Sequence, residues 1–170
     1  MLEKLKPWIG SLILLPFAIF YAVNMGKFTF VDYFNLLIHE AGHGIFKLLG
    51  EFIYTLGGTL MQLIMPGIFI YYFVSNQKKI GTQISILWLG ESFMNVSIYA
   101  ADARARQLPL LGGNNVYHDW NWILSRLNML EFDTALGWIF YGCGIAAFIL
   151  ALLYPLFYNK YERVDIDLKI

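Results

Sequence analysis

Four long apolar runs dominate the chain and predict transmembrane helices. They span about residues 7–23, 52–74, 80–101 and 136–158. The hydrocarbon core of a bilayer is about 30 Å thick, and an α-helix needs on the order of 20 residues to cross it. Each run is therefore long enough to cross a membrane once.

A fifth apolar run, at about residues 28–49, differs from the others because polar side chains interrupt it. They are Asp32, Asn35, His39, Glu40 and His43. Ionisable groups are expensive inside a membrane, and by default they mark a functional site. We therefore predict an all-α fold, a polytopic transmembrane helix bundle of about five membrane helices, with this helix inside the bundle.

The connectors between these runs are short, apart from one polar insert at 102–134. Within the insert we predict a short helix from Asp119 to Leu130, with Asp119 as its N-cap, since aspartate is a favoured residue there. We take the first run as a retained span, because it is too long for a signal peptide and lacks a cleavage site. The chain is thus predicted to form a single transmembrane domain, 1–170.

Composition supports a membrane protein and excludes several other classes. Hydrophobic residues make up 58% of the chain and charged residues 14%, against about 25% charged in soluble domains. The net charge is zero and the basic residues are scattered, so we expect no nucleic-acid partner. Cys143 is the only cysteine, which excludes an internal disulfide. The Lys/Arg bias of the loops is nearly balanced, which leaves the membrane orientation open.

The pattern His39-Glu40-Ala41-Gly42-His43 in the fifth run predicts a Zn²⁺ site. Histidines four positions apart project from one helical face, so their imidazoles can bind one metal ion. Glu40 flanks that ion as a general base, acting on a water molecule whose pKa zinc lowers. A polar cluster that only joins helices through hydrogen bonds is the alternative reading.

A catalytic zinc usually has three protein ligands, so a third must come from elsewhere in the chain. Asp102 is one candidate, because Asn95, Tyr99 and Asp102 lie along one helical face. His118 is the alternative, since it is the only other histidine. Asp102 could instead pair with Arg104 or Arg106, and His118 could simply begin a helix. The sequence leaves the choice between Asp102 and His118 open.

These residues resemble the site-2 protease group of intramembrane zinc metalloproteases, in its minimal bacterial form. His39 to His43 matches the motif on that group's membrane helix, and Asn95 to Asp102 is similar to its second motif, whose aspartate is the third zinc ligand. Ala103 stands where that group has glycine, and the proline of the second motif is missing. The resemblance covers about residues 28–103 and implies a multi-pass protein of the bacterial inner membrane.

The predicted function is that of an intramembrane zinc metalloendopeptidase. It would hydrolyse peptide bonds of membrane-embedded or membrane-adjacent proteins or peptides, with the lipid bilayer as its surroundings. The alternative is a non-proteolytic membrane protein that uses the same metal site for structure, metal handling or assembly with a partner. The sequence identifies neither substrate-binding residues nor an oligomeric state.

Overall fold

The computed structural model describes residues 5–24, 28–110 and 117–158, and these residues are helical without any strand. Short 3-10 turns extend or join several of the helices. The six α-helices are α1 (Ile9–Val23), α2 (Phe30–Phe46), α3 (Glu51–Ser75), α4 (Lys79–Ala101), α5 (Asp119–Arg126) and α6 (Asp133–Leu153). The all-α prediction is thereby confirmed.

Four helical segments of the described chain are long and apolar enough to cross a membrane. They are Lys6–Val23, Glu51–Ser75, Lys79–Ala101 and Leu130–Leu156. The 17-residue helix α2, which corresponds to the predicted fifth span, is not among them. Length and composition are thus compatible with a multi-pass membrane protein with four such helices.

The ends of α2 follow from local sequence. At its start the backbone N–H of Thr29 donates to the Asp32 carboxylate at 2.7 Å, which satisfies one of the free amides of the first turn. After its end, Gly50 has φ +88°, a left-handed conformation that glycine adopts without steric cost. The short turn at Gly50 lets α3 fold back along α2.

Helix directions bear on the prediction of a separate fifth crossing. α1 runs parallel to α4. At the start of both helices, Lys79 Nζ donates to the Pro7 carbonyl at 2.7 Å. Further along both helices, Tyr21 and Met94 line the same cavity.

α2 runs in the same direction as α4, because both are antiparallel to α3: His39 and His43 meet Gln62 and Tyr54 of α3, and Asn95 and Gly81 of α4 meet Gln62 and Phe73. α2 starts beside the middle of α4, where Asn35 contacts Glu91.

Consequently α1 and α2 run in the same direction and together extend along α4, while α3 and α6 run in the opposite direction. Both described ends of the chain lie near the turn between α3 and α4, since Tyr158 Oη donates to the Gln77 carbonyl at 2.9 Å and Lys79 lies over the Tyr158 ring.

The interior of the bundle contains many polar side chains, and its outer surface is largely apolar. Gln62, Gln83 and Asn35 are fully buried, whereas large side chains such as Ile13 and Ile139 are 60% and 61% exposed. Soluble proteins rarely expose such continuous apolar surface, whereas membrane helices use small and polar residues at their contacts. This distribution is the one expected of helices surrounded by lipid.

The short helix α5 is held against α4 by a separate apolar cluster. Trp120, Ile123 and Leu124 of α5 pack on Val96 and Ala100 of α4. The two ends of the insert are also tied together, because the Arg104 guanidinium pairs with the Asp133 carboxylate at 2.7 Å. These contacts fix the start of α5, where Asp119 lies.

Candidate metal centre

Helix α2 places His39 and His43 on one face, and α5 places Asp119 opposite them. The Nε2 atoms of His39 and His43 lie 2.8 Å and 3.2 Å from Asp119 Oδ2. In the part of the chain that the structure describes, this is the one group of three His, Cys, Asp or Glu side chains that could hold a metal ion, with ligand atoms all within 4.8 Å of one another. The predicted pair of histidines therefore does converge on one point.

The other nitrogen of each histidine ring is held by an oxygen acceptor. His39 Nδ1 lies 3.2 Å from Gln62 Oε1, and His43 Nδ1 lies 2.8 Å from the backbone carbonyl of Tyr54. A carbonyl oxygen can only accept, so each Nδ1 carries a proton and Nε2 is the nitrogen left to bind a cation or to carry a second proton. Metal-binding histidines are typically oriented in this way.

Three electron-rich atoms thus face one another in a mostly buried position. The side chains of His39, His43 and Asp119 are 7%, 12% and 8% exposed. Such an arrangement needs positive charge among the three atoms, supplied either by protons or by a cation. Two imidazole nitrogens and one carboxylate oxygen fit zinc, and three protein ligands leave a fourth position for water or substrate.

Asp119 is suited to serve as an anionic ligand. Burial raises the pKa of its carboxyl, but the hydrogen bonds and charges of His39 and His43 outweigh that effect and bring the pKa below its ordinary value. Asp119 is therefore a carboxylate at neutral pH, which is the form that binds a metal ion.

Two glycines of α3 make room for the site. A Cβ atom added to Gly58 would collide with the ring of His39, and one added to Gly42 of α2 would collide with the Gly57 backbone. The Gly57-Gly58 pair therefore serves close helix packing around His39. Close approach of two backbones is a common role of glycine in membrane helices.

Glu40 lies next to this cluster on α2 and is exposed. Its charge acts on both His43 and Tyr99, which places the carboxylate in the neighbourhood of the site. The Glu40 carboxylate thus lies beside the histidines and is not covered by the other helices.

Tyr99 connects α4 to the site. Its hydroxyl accepts a hydrogen bond from the backbone N–H of Asp119 at 3.1 Å, and its ring lies 5.7 Å from that of His39 and 4.3 Å from that of His118. The predicted polar face of α4 thus does reach the site, through Tyr99.

Asp102, the first candidate for the third ligand, does not belong to the cluster. Its two carboxylate oxygens each accept a backbone N–H at 2.9 Å, from Gln107 and from Leu108. They close the turn that follows α4 and are therefore already engaged. Arg104 pairs with Asp133 instead of Asp102.

His118, the alternative third ligand, is also outside the cluster. Its Nδ1 accepts the backbone N–H of Asn121 at 3.3 Å, so His118 is the N-cap of α5. Its Nε2 lies 3.4 Å from Asp102 Oδ2. Burial lowers the pKa of His118, although the charge of Asp102 opposes this effect. The two candidates therefore contact each other, and the carboxylate that lies beside the two histidines is that of Asp119.

The sequence offered only a weak signal for Asp119. The residue was predicted as a helix cap, but it is the first residue of α5, and the helix ends at Arg126 instead of Leu130. The available sign of a functional role was that Asp119 follows a histidine and begins a short helix with two tryptophans. Asp119 lies 76 positions after His43 on a different helix, so helical spacing could not relate the two residues.

Searches against family models, curated proteins and solved structures found no match for this chain.

Proposed function

We propose that this protein is a zinc metalloendopeptidase of the membrane, with His39, His43 and Asp119 as metal ligands and Glu40 as general base. The observation that carries the proposal is the convergence of both Nε2 atoms on Asp119 Oδ2, while both Nδ1 atoms donate to carbonyl oxygens. A polar cluster that only joined helices would not need both rings in the same tautomer.

The chemistry follows from the types of residue present. Zinc, when bound, supplies a Lewis acid that polarises a carbonyl group and lowers the pKa of water. Glu40 takes the proton from the attacking water and then delivers it to the leaving amine, as a general base and acid. Tyr99, whose hydroxyl lies at the Asp119 amide, keeps α5 and its carboxylate in position.

The depth of the site favours substrates cut near the membrane surface. His43 lies at the level of Tyr54, in the first turn of α3, and Tyr99 lies in the last turn of α4. Both helices end on the side of the insert, so the metal ligands lie within about two turns of that end of the bundle. We infer that the substrate is a membrane-embedded or membrane-adjacent polypeptide with an unwound segment at this depth.

The location we propose is an integral, multi-pass position in a membrane. The four long apolar helices and the exposed apolar surface support it. The bacterial inner membrane is the location that the resemblance to site-2 proteases implies.

Substitution of Glu40 by glutamine tests the proposed reaction. Purified wild-type protein loaded with zinc in detergent should cleave an unfolded probe such as β-casein, and Glu40→Gln should lower the rate by at least about 100-fold, since it removes the general base. The variant should hold as much zinc as the wild type, because Glu40 is not a ligand. Equal cleavage rates in the two proteins would contradict the role of Glu40 as general base, and no cleavage by either would favour a non-proteolytic role of the metal site.

A further inference from the structure

A line of buried polar side chains connects the metal centre to a carboxylate at the start of α2. Gln62 Nε2 donates to Asn95 Oδ1 at 2.6 Å, and Asn95 Nδ2 donates to Asp32 Oδ1 at 2.7 Å. Because Gln62 also accepts from His39 Nδ1, the series runs from His39 through Gln62 and Asn95 to Asp32. It passes through α2, α3 and α4 and returns to α2.

The direction of every hydrogen bond in this series is set by its last member. The Asp32 oxygen facing Asn95 is a carboxylate acceptor, so Asn95 must turn its NH₂ group toward it. Asn95 then offers its oxygen to the NH₂ group of Gln62, and Gln62 offers its oxygen to His39. Only a proton on His39 Nδ1 completes the series.

Asp32 has no cationic neighbour that would explain its burial. It is 8% exposed, and no Lys or Arg of the described ranges pairs with it. Its other oxygen accepts from the backbone N–H and the hydroxyl of Thr29, at 2.7 Å and 2.6 Å. The carboxyl of Glu91 also interacts with it, and both side chains line a cavity of about 20 Å³, which has room for about one water molecule.

We infer that Asp32 is a positioning residue of the metal centre: through Asn95 and Gln62 it fixes His39 in the tautomer with the proton on Nδ1 and the lone pair of Nε2 toward the metal. This inference rests on the proposed function, because it takes His39 as a ligand. The arrangement is a lengthened form of the carboxylate–histidine–metal triad, in which a carboxylate orients a ligand and increases its basicity. Here two amides stand between the carboxylate and the imidazole.

A purely structural network would have a different consequence. If the four side chains only hold α2, α3 and α4 together, loss of the Asp32 charge should lower stability without changing the tautomer of His39. Asp32→Asn separates the two roles, because asparagine preserves the shape but can present either an oxygen or an NH₂ group to Asn95. The direction of the series is then no longer fixed.

The test measures the metal-free and the zinc-bound protein in detergent. In the metal-free wild type, ¹⁵N NMR of labelled histidine should show His39 Nδ1 fully protonated, and Asp32→Asn should show this nitrogen only partly protonated. In chelator competition, the zinc dissociation constant should rise about 10-fold in Asp32→Asn, at the lower end of the effect of outer-shell substitutions. Thr29→Val is the matched control, since it removes another hydrogen bond to the same carboxylate and should leave both readouts unchanged.

Moving the carboxylate along the series provides the decisive variant. In the double variant Asp32→Asn with Gln62→Glu, the new carboxylate at position 62 contacts His39 directly. Asn95 can donate its NH₂ group to this carboxylate, and the new asparagine at position 32 can donate to the Asn95 oxygen. This double variant should recover the Nδ1 proton and the wild-type zinc affinity to within about 3-fold. An unchanged tautomer and affinity in Asp32→Asn, or no recovery in the double variant, would overturn the inference. Absence of zinc from the wild type would instead overturn the metal centre itself.

Discussion

Each histidine of the candidate metal centre has one nitrogen that holds its ring in place and one that faces Asp119. The four-residue spacing was sufficient to predict that His39 and His43 face one point, because helix geometry alone determines it. The third ligand could not be predicted in the same way, since it lies on a different helix and depends on how the insert packs. Asp102 and His118 were plausible on chemistry, but backbone amides already engage both of them.

Gly58 is the residue whose substitution should disturb the candidate metal centre without replacing a ligand. In Gly58→Ala the new methyl group would meet the ring of His39, and overpacking of this kind costs about 1–3 kcal/mol. We expect the zinc dissociation constant to rise at least about 10-fold as the ring is displaced, measured by chelator competition.

Gly67→Ala is the control on the same helix, because no atom lies within 4 Å of an added methyl group there. It should bind zinc as the wild type does. If Gly58→Ala and Gly67→Ala bind equally well, the tight fit of His39 against α3 is not required.

At the scale of helices, the positions of the long elements were predictable and their directions were not. Apolar runs of about 20 residues indicated α1, α3, α4 and α6, and the structure has helices at each of them. Hydrophobic pattern carries no information on whether consecutive helices reverse. The parallel course of α1 and α2 depends on contacts in the middle of the bundle, such as that of Asn35 with Glu91.

The packing of α5 on α4 should be needed to hold Asp119 beside the two histidines. Ile123 is 2% exposed in the cluster that holds α5 on α4, and shortening a buried isoleucine to alanine costs about 2–5 kcal/mol. Ile123→Ala should therefore loosen α5, lower zinc affinity at least about 10-fold and lower the midpoint of thermal unfolding of the zinc-loaded protein.

Leu127, at the end of the same helix, supplies the comparison because it is 47% exposed. Leu127→Ala should change zinc affinity by less than about 2-fold. Equal losses in both variants would mean that the packing of α5 does not deliver Asp119 to the histidines.

At the scale of the whole molecule, the four long apolar helices and the directions of α1 and α2 lead us to predict four membrane crossings. Pro7 and Tyr158 both lie near the turn between α3 and α4, and the insert with α5 lies at the other end of the bundle. We therefore predict that the candidate metal centre is on the side of the membrane opposite to these two positions.

Reporter fusions at the two ends of the chain test this topology. Both reporters should be found on the same side of the membrane, and a tag inserted at the exposed Gln107 should be found on the other. Reporters on opposite sides would instead restore the five crossings that the hydrophobic pattern alone suggests.

Zinc content of purified protein is the measurement that tests the metal centre most directly. Wild type should hold about one zinc ion per chain, and His39→Ala and Asp119→Asn should each lose it, because removing one of three protein ligands leaves too few. Asp102→Asn and His118→Ala should retain zinc, since neither side chain reaches the cluster. Zinc absent from the wild type, or lost in Asp102→Asn and kept in Asp119→Asn, would contradict this assignment.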